Sequence, residues 1–514
     1  VKGRRDLVVS TLESLAEQVY DHWELLVLVQ ESDFSEEELR QQMGLSDPSR
    51  ISFIISDHNE SNLIAQSLPH MSGEFGLWMQ PGDRLAPLAL HHWVQAINRQ
   101  SIRVVWYSDS DQLDHQLQRS SPFFKPSWNR ELFYSQNYVG RSCLFHLSTI
   151  KKSIDPARLT PGAETYDLLL RLVDQTGDQS IGHIPKILYH SHQDSTHGIE
   201  SQDLAQQQKA LSLHFERFGE TIAVSSGRLP YTHRIQYPLP SNPPRVTCII
   251  PTRDQLRIFK TCLESLLQRT RYPFFDVLVI DNGSQEHQTL DYFETISHWK
   301  RVRYFCYDHP FNFAAINNVG VRHTQADLVC LMNNDIEVMS GDWLQEMVRY
   351  AVRSHIGCVG PKLLYSNRRV QHAGVICGIG DVAGHAHRFF KRQSPGYFGR
   401  LQSAQYYSAV TAACLLMRRD IYLQLGGMNE ELAVAYNDID LCLRVKEAGY
   451  HNVYTPDAEL LHHESISRGS EDTPEKIQRY QKEVAYMWRQ WREVLENDPC
   501  YNPNLSKVRE DFSL

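Results

Sequence analysis

Short apolar runs alternate with stretches where apolar residues recur every three to four positions, and the alternation runs twice through the chain. "VTCII" (246–250), "FDVLVI" (275–280) and "ADLVCLM" (326–332) have strand length and little polar alternation, the pattern of strands buried on both faces. "TLESLAEQ" (11–18) and "CLESLLQR" (262–269) carry the helical period instead. Strands alternating with amphipathic helices predict an α/β fold with a mainly parallel sheet covered on both faces. In such sheets ligands bind beyond the carboxyl ends of the strands.

The two passes resemble each other. "TLESLAEQVYDHWELLVLVQES" (11–32) matches "CLESLLQRTRYPFFDVLVIDNGS" (262–284) with one inserted residue, and "ETYDLLLRLVDQTG" (164–177) matches "NDIDLCLRVKEAGY" (437–450). A repeat this long means two copies of one domain, not a solenoid. Pro238, Pro240, Pro243 and Pro244 precede the strand at Val246, a composition that gives an extended, semi-rigid connector. The expected domains are 1–236, a linker at 237–245, 246–470, and a helical tail at 471–514. Aligning the copies sets Val1 opposite Thr252, so the first copy is expected to lack the strand equivalent to Val246–Pro251.

Composition narrows the class. With 514 residues, the chain is long enough for two to four domains with full cores. A hydrophobic fraction of 41% and a charged fraction of 22% are those of a globular protein, and a net charge of −9 argues against nucleic acid as a partner. No run approaches the roughly 18 apolar residues of a membrane span. The ten cysteines form no C-x-x-C pair, and Cys248, Cys330 and Cys414 sit inside apolar runs. They read as buried free thiols in a reducing compartment, so a cytoplasmic setting is expected. In the tail, Tyr480, Val484, Met487 and Trp491 recur at helical spacing. That stripe reads as a helix packed on its own domain, the alternative being peripheral contact with a partner or the inner face of the cell membrane.

Three acid and amide clusters then stand out in the second copy: Asp281-Asn282-Gly283-Ser284, Asn333-Asn334-Asp335-Ile336-Glu337 and Asn437-Asp438-Ile439-Asp440. One such cluster alone is a turn or a helix cap. Three of them, at strand ends and helix starts, point to chemistry. Hard divalent cations prefer carboxylate oxygens and keep positions for phosphates, and Asp335 is the carboxylate best placed for that. A carboxylate opening a helix can act as general base. Asp438 fits, since Leu441, Val445 and Ala448 bury the stripe behind it, whereas Asp440 reads as helix-start stabilisation.

Four ordered stretches carry a family resemblance: "IIPTRDQLRIFKTCLESLL" with "YPFFDVLVIDNGS", "FNFAAINNVGVRHTQADLVCLMNNDIEV", "YYSAVTAACLLMRRDIYLQLGGMNE" and "YNDIDLCLRVKEAGYHNVYTPDAELLHHESISRG". They resemble bacterial family 2 glycosyltransferases, and "FKPSWNRELFYSQNYVG" and "IGHIPKILYHSH" extend the resemblance to the first copy. It implies two tandem GT-A-like domains and an inverting sugar transfer in surface polysaccharide synthesis, O-antigen or capsule. It implies a UDP- or dTDP-sugar donor, a glycan or lipid-linked acceptor, and Mg²⁺ or Mn²⁺. By that resemblance Pro251, Thr252, Arg253, Asp281, Asn333 and Asn334 would bind the nucleotide sugar. Asp335 would hold the metal with His462 or His463, and Asp438 would be the base. Asn333 and Asn437 depart from the acids usual in the family at those places.

The first copy keeps the apolar pattern and loses the acids. Val29 stands opposite Asp281, Gln80 and Gly82 opposite Asn333 and Asp335, and Thr165 opposite Asp438. The expectation is a non-catalytic first domain. The alternatives are a two-site glycan polymerase using Asp83, Glu164 and Asp167, or a carbohydrate-binding scaffold; a pyrophosphorylase would need a glycine-rich loop that "IIPTRDQLRI" lacks. "GHAH" (384–387) sets His385 and His387 on one strand face, near phosphate or acceptor; "GIGDVA" (378–383) lacks the context of a dinucleotide site; and "RSSPFFKP" (119–126) reads as a solvated loop.

Overall fold

The computed structural model describes residues 5–29, 50–55, 62–193, 201–463 and 473–514. The chain divides into two compact units, Val1–Ile235 and Gln236–Leu514. In the first, β1 (Leu25–Val29) pairs in parallel with β2 (Ile51–Ile55). A six-stranded sheet is built from β3 (Phe75–Gly76), β4 (Arg84–Leu85), β5 (Val105–Leu113), β6 (Arg119–Phe123), β7 (Cys143–His146) and β8 (Ile181–His192). Its order is β3-β7-β5-β8-β4, with β6 on β5, and β5 and β8 run parallel. Leu15, Trp93, Trp106 and Tyr189 meet in its core. The segment read as a solvated loop contains β6, because Arg119 pairs with Asp111 and the buried Lys125 donates to Val139 O and Ser142 Oγ. A short pair, β9 (Ala223–Ser226) and β10 (His233–Gln236), follows.

The second unit has a ten-stranded sheet. Its strands are β11 (Val246–Thr252), β12 (Phe275–Asp281), β13 (Val302–Cys306), β14 (Leu328–Met332), β15 (Ile336–Val338), β16 (Ile356–Leu364) and β17 (Val370–His372), and, after the antiparallel pair β18 (Val375–Cys377) and β19 (Ala383–His385), β20 (Gln405–Tyr407), β21 (Cys414–Arg418) and β22 (His451–His462). The order is β13-β12-β11-β14-β21-β16-β22-β15. The first four strands are parallel, β16 pairs in parallel with β22, and β21 runs antiparallel to both β14 and β16. The α/β class expected from the alternating pattern holds. β11 is buried along its whole length, as its apolar run predicts.

Chain order within the parallel part is third, second, first, fourth. Connections leave β11 toward one side for two strands and then return to its other side. Between β11 and β14 the strand order reverses, which in doubly wound sheets opens the ligand crevice at the carboxyl ends. The helix Phe313–Arg322 packs on β11 and its neighbour β12. A Cβ on its Gly320 would stand 2.6 Å from Ile249 Cγ2 and 2.7 Å from Ile280 Cδ1, so only glycine lets helix and sheet approach this closely.

The tail helix Pro474–Glu496 belongs to this unit. Met487, Trp491 and Leu495 are buried in its core cluster, and Val484 packs against that cluster. Glu483 accepts the N–H groups of Val434 and Ala435. The backbone leaves helical geometry at Trp491, where the indole donates to Asp440 Oδ1 at 3.0 Å. Among the described residues no helix is long and apolar enough to cross a membrane. The expected boundary at 470–471 and the Glu464-Ser465 end of "HHES" lie outside the described residues.

Candidate active site

β11 and β14 end side by side, and their ends are tied together. Asn334 Nδ2 donates to Thr252 Oγ1 at 3.0 Å, so two residues singled out from separate stretches meet at the strand-order reversal. The loop after β11 is laced to the loop after β12: Asn282 N–H donates to Thr252 O, Asp254 N–H to Ser284 Oγ, and Asp254 Oδ1 accepts from Gln285 and Glu286 N–H. Asp281, buried at the end of β12, accepts from Ser284 N–H at 3.0 Å and Ser284 Oγ–H at 2.6 Å. Pro251 is buried in the same strand end, and the Arg253 side chain is exposed beside it, 4.0 Å from Asp254. These residues meet at the carboxyl ends of β11 and β12.

Asn333-Asn334-Asp335 forms the turn between β14 and β15, closed by Ile336 N–H to Asn333 O. Since β15 pairs antiparallel with β22, this turn lies against the end of β22. His462 Nε2 comes within 3.0 Å of Asp335 Oδ1, and Asn333 Nδ2 lies 3.3 Å from the same nitrogen. Gln371 Oε1 holds His462 Nδ1 at 2.7 Å, which fixes the ring so that Nε2 faces the carboxylate. His463 points elsewhere: its ring nitrogens meet Glu337 Oε2 at 3.0 Å and Ser366 Oγ at 2.8 Å. Of the two histidines, His462 therefore shares a place with Asp335. The alternation of side chains along an extended strand separates the neighbours. Gln371 was not legible in the sequence, since nothing in "VQHAG" marks it.

Asp438 is the second residue of the helix Asn437–Glu447. Its Oδ2 accepts the Ala412 N–H at 2.9 Å, while the next residue, Ala413, supplies the carbonyl that accepts from Asn333 N–H at 3.0 Å. Two consecutive residues leading into β21 thus join Asp438 to the turn that carries Asp335. Burial pushes the Asp438 carboxyl up from the usual aspartate range, against lowering by hydrogen bonds from Ala412 and Thr411. Asn437 is buried and donates to Leu432 O and Val434 O, which shapes the loop before the helix. Asp440 is buried and engaged by Arg444 Nε at 2.8 Å and by Trp491.

The first unit shows the same framework with different contents. A turn closed by Asp83 N–H to Gln80 O matches the one at Asn333. Gly82 stands where Asp335 stands, at φ +93, and a Cβ there would lie 2.9 Å from His192 Cβ. The next residue, Asp83, is fully buried, and its carboxylate accepts from Tyr189 O–H at 2.5 Å and His192 N–H at 3.0 Å, with Arg141 3.6 Å away. Thr165 takes the place of Asp438, whereas Asp167 takes that of Asp440. Asp167 binds Arg171 Nε at 2.9 Å, as Asp440 binds Arg444, and also accepts from Thr160. Glu164 accepts from Gly162 N–H.

The histidines of "GHAH" do not share a strand face. His385 ends β19 and meets His372, Nδ1 to Nδ1, at 3.0 Å. His387 lies beyond the strand at φ +59, buried against Phe512. "GIGDVA" joins β18 to β19 as a hairpin connection. Among the described residues no cluster of three or more His, Cys, Asp and Glu side chains has metal-site geometry.

Residues 247–425 match the profile of Glycosyl transferase family 2. The chain is 40% identical over 519 aligned residues to "Uncharacterized protein y4gI" of Sinorhizobium fredii, covering 99% of this chain and 57% of that protein. It is 34% identical to "O-antigen biosynthesis protein RfbC" of Myxococcus xanthus, over 98% of this chain and 39% of that protein. The chain thus spans about half the length of these curated relatives. Among solved structures, "GalNAc-T7 with UDP, GalNAc and Mn2+" aligns over 54% of this chain and 53% of its own, at 13% identity and a TM-score of 0.42.

Proposed function

The chain carries a family 2 glycosyl transferase domain across residues 247–425, and on that premise we propose that the second unit transfers a sugar from a nucleoside diphosphate to an acceptor hydroxyl, with inversion. The observation that carries this reading is the link between Asp438 and the Asp335 turn through Ala412 and Ala413. It sets a half-buried carboxylate of raised basicity near a carboxylate–imidazole pair, at the carboxyl end of β14. The name of the Myxococcus xanthus relative, an O-antigen biosynthesis protein, points the same way, toward an O-antigen-type glycan.

In this reading the nucleotide lies against Pro251, Thr252, Arg253 and Asp281, with Asn333 and Asn334 toward the sugar phosphate. Asp335 and His462 would hold Mg²⁺ or Mn²⁺ through a hard carboxylate oxygen and an imidazole nitrogen, the donor types such ions take together with phosphate oxygens. When bound, the cation neutralises charge growing on the leaving diphosphate. Asp438 accepts the proton of the attacking hydroxyl, and a single displacement inverts the anomeric centre. His463 is assigned no metal contact, because Glu337 and Ser366 engage its ring.

We assign no transfer to the first unit. Gly82 leaves no space for the metal carboxylate, and the acids of the shifted alternative, Asp83 and Asp167, serve buried internal contacts. The test is nucleoside diphosphate release by the full chain from a panel of UDP- and dTDP-sugars, with a lipid-linked glycan fraction as acceptor. Release that EDTA abolishes is expected; no release from any donor under Mg²⁺ or Mn²⁺ overturns the reading.

A further inference from the structure

Tyr365 leaves the sheet one residue past the carboxyl end of β16, alongside the parallel end of β22. Its ring stacks on Phe389, with centroids 5.4 Å apart and planes 10° apart. The Arg388 guanidinium lies 4.9 Å from the Phe389 ring centre, and Arg388 Nε donates to the Tyr365 hydroxyl at 2.7 Å. Phe389 is held from both sides of its peptide, by its N–H to Val370 O and its carbonyl to Arg369. Yet its side chain is 54% exposed, and its φ is +65°. A bulky residue is disfavoured there on backbone grounds, and an exposed phenylalanine gains little from burial. Conformations of this kind persist where the surroundings enforce them and cluster at ligand-binding positions.

A cleft of about 570 Å³ opens beside the ring, lined among others by Arg388, Phe389, Phe390, Arg509 and Glu510. That volume is in the range of small-ligand sites. Its charges are of mixed sign and matched: Arg388 lies 3.8 Å from Glu510, and Arg509 lies 3.0 Å from Asp511. A polyanion would meet as much repulsion as attraction here. A neutral polyol would not. Flat ring faces accept the C–H face of a pyranose, while guanidinium and carboxylate groups offer paired hydrogen bonds to adjacent hydroxyls. Tyr365 backs the Phe389 ring without lining the cleft itself, and its neighbour Ser366 bonds His463, whose N–H donates to Asp335 O at 3.0 Å.

We propose that Phe389 and Arg388, held in place by Tyr365, form a subsite for a neutral sugar of the acceptor glycan, set back from the reacting hydroxyl. The ligand class rests on the sugar-transfer reading, and the test is made without donor or metal, so its failure is separate from failure of that reading. Saturation-transfer NMR on the full chain would use neutral gluco-, manno-, galacto- and rhamno-oligosaccharides, from di- to hexasaccharides. Transfer to the ring C–H protons of at least one series is expected. It should be lost in Phe389→Gly, which relieves the left-handed backbone, and kept in Phe389→Trp, which restores a flat face. Undiminished transfer in Phe389→Gly, or no transfer to any series with the intact chain, overturns the subsite.

Discussion

Two aspartates two residues apart differ in their surroundings, and the proposed reading gives chemistry to Asp438 and architecture to Asp440. Asp440 has an arginine four residues on and an indole above it, and the first unit keeps that acid–arginine pair in Asp167 and Arg171 while replacing Asp438 with threonine. The sequence therefore contained the distinction, in the position that survives in both copies. Asp438→Asn keeps shape and should lower turnover by about 10²–10⁴-fold, whereas the bound nucleotide is unaffected; a normal rate in that variant, measured by diphosphate release, contradicts the base assignment. Its raised pKa also has a stability sign. A carboxyl that binds its proton more tightly folded than unfolded favours the fold below the ordinary aspartate range, and that contribution is lost as pH rises through the raised value. At neutral pH the charged, desolvated group is a burden, so Asp438→Asn should raise Tm while the rate falls. The rate of the unaltered chain should rise with pH through an inflection above the ordinary aspartate value. Asp335→Ala should abolish metal-stimulated transfer and leave the far-UV circular dichroism unchanged. What the residues alone did not reveal is which neighbour each turns to. The Asn334–Thr252 and His462–Asn333 contacts join positions 82 and 129 apart in the chain, and local periodicity carries no information over such separations.

At the level of elements, the apolar runs were readable because parallel strands are buried on both faces and cannot alternate. The antiparallel insertion of β21 between β14 and β16 was not readable, since nothing local to "CLLMR" fixes its direction or its partners. The helix Phe313–Arg322 shows how tight the resulting packing is. Gly320→Ala places a methyl against Ile249 and Ile280, and overpacking of this kind should cost about 1–3 kcal/mol, measurable as a lower denaturant midpoint with an unchanged slope. The tail helix was legible as a stripe, and its partner became visible only in the fold. Trp491→Phe keeps the ring in the core and removes the donor to Asp440; a loss of about 1–3 kcal/mol is expected for a buried carboxylate deprived of one partner. Wild-type stability in that variant would show that the indole N–H contributes nothing to the helix that presents Asp438.

For the whole molecule, the decisive quantity is the number of working sites. Calorimetry of the full chain with Mn²⁺ and a sugar nucleotide should titrate to one site per chain, and Asp335→Ala should remove all metal-dependent binding. A second stoichiometric site surviving in Asp335→Ala would restore the two-site polymerase. The repeat made the duplication evident, and the loss of three acids from one copy pointed to unequal roles; only the fold reveals that Gly82 has no space for a side chain. The anchoring of the Asp438 helix by Trp491 has a further consequence, in time rather than space. The bond spans 51 positions, and chains grow from the N-terminus at about 5–20 residues per second, so the helix leaves the ribosome about 3–10 s before its indole does. From the emergence of His462 until that of Trp491 the nascent chain carries every residue of the proposed site while the apolar face destined for the tail stays open. A message that terminates between His462 and Trp491 yields a product with all the proposed site residues and an exposed hydrophobic surface, the signal by which chaperones and proteases select a polypeptide for holding or destruction.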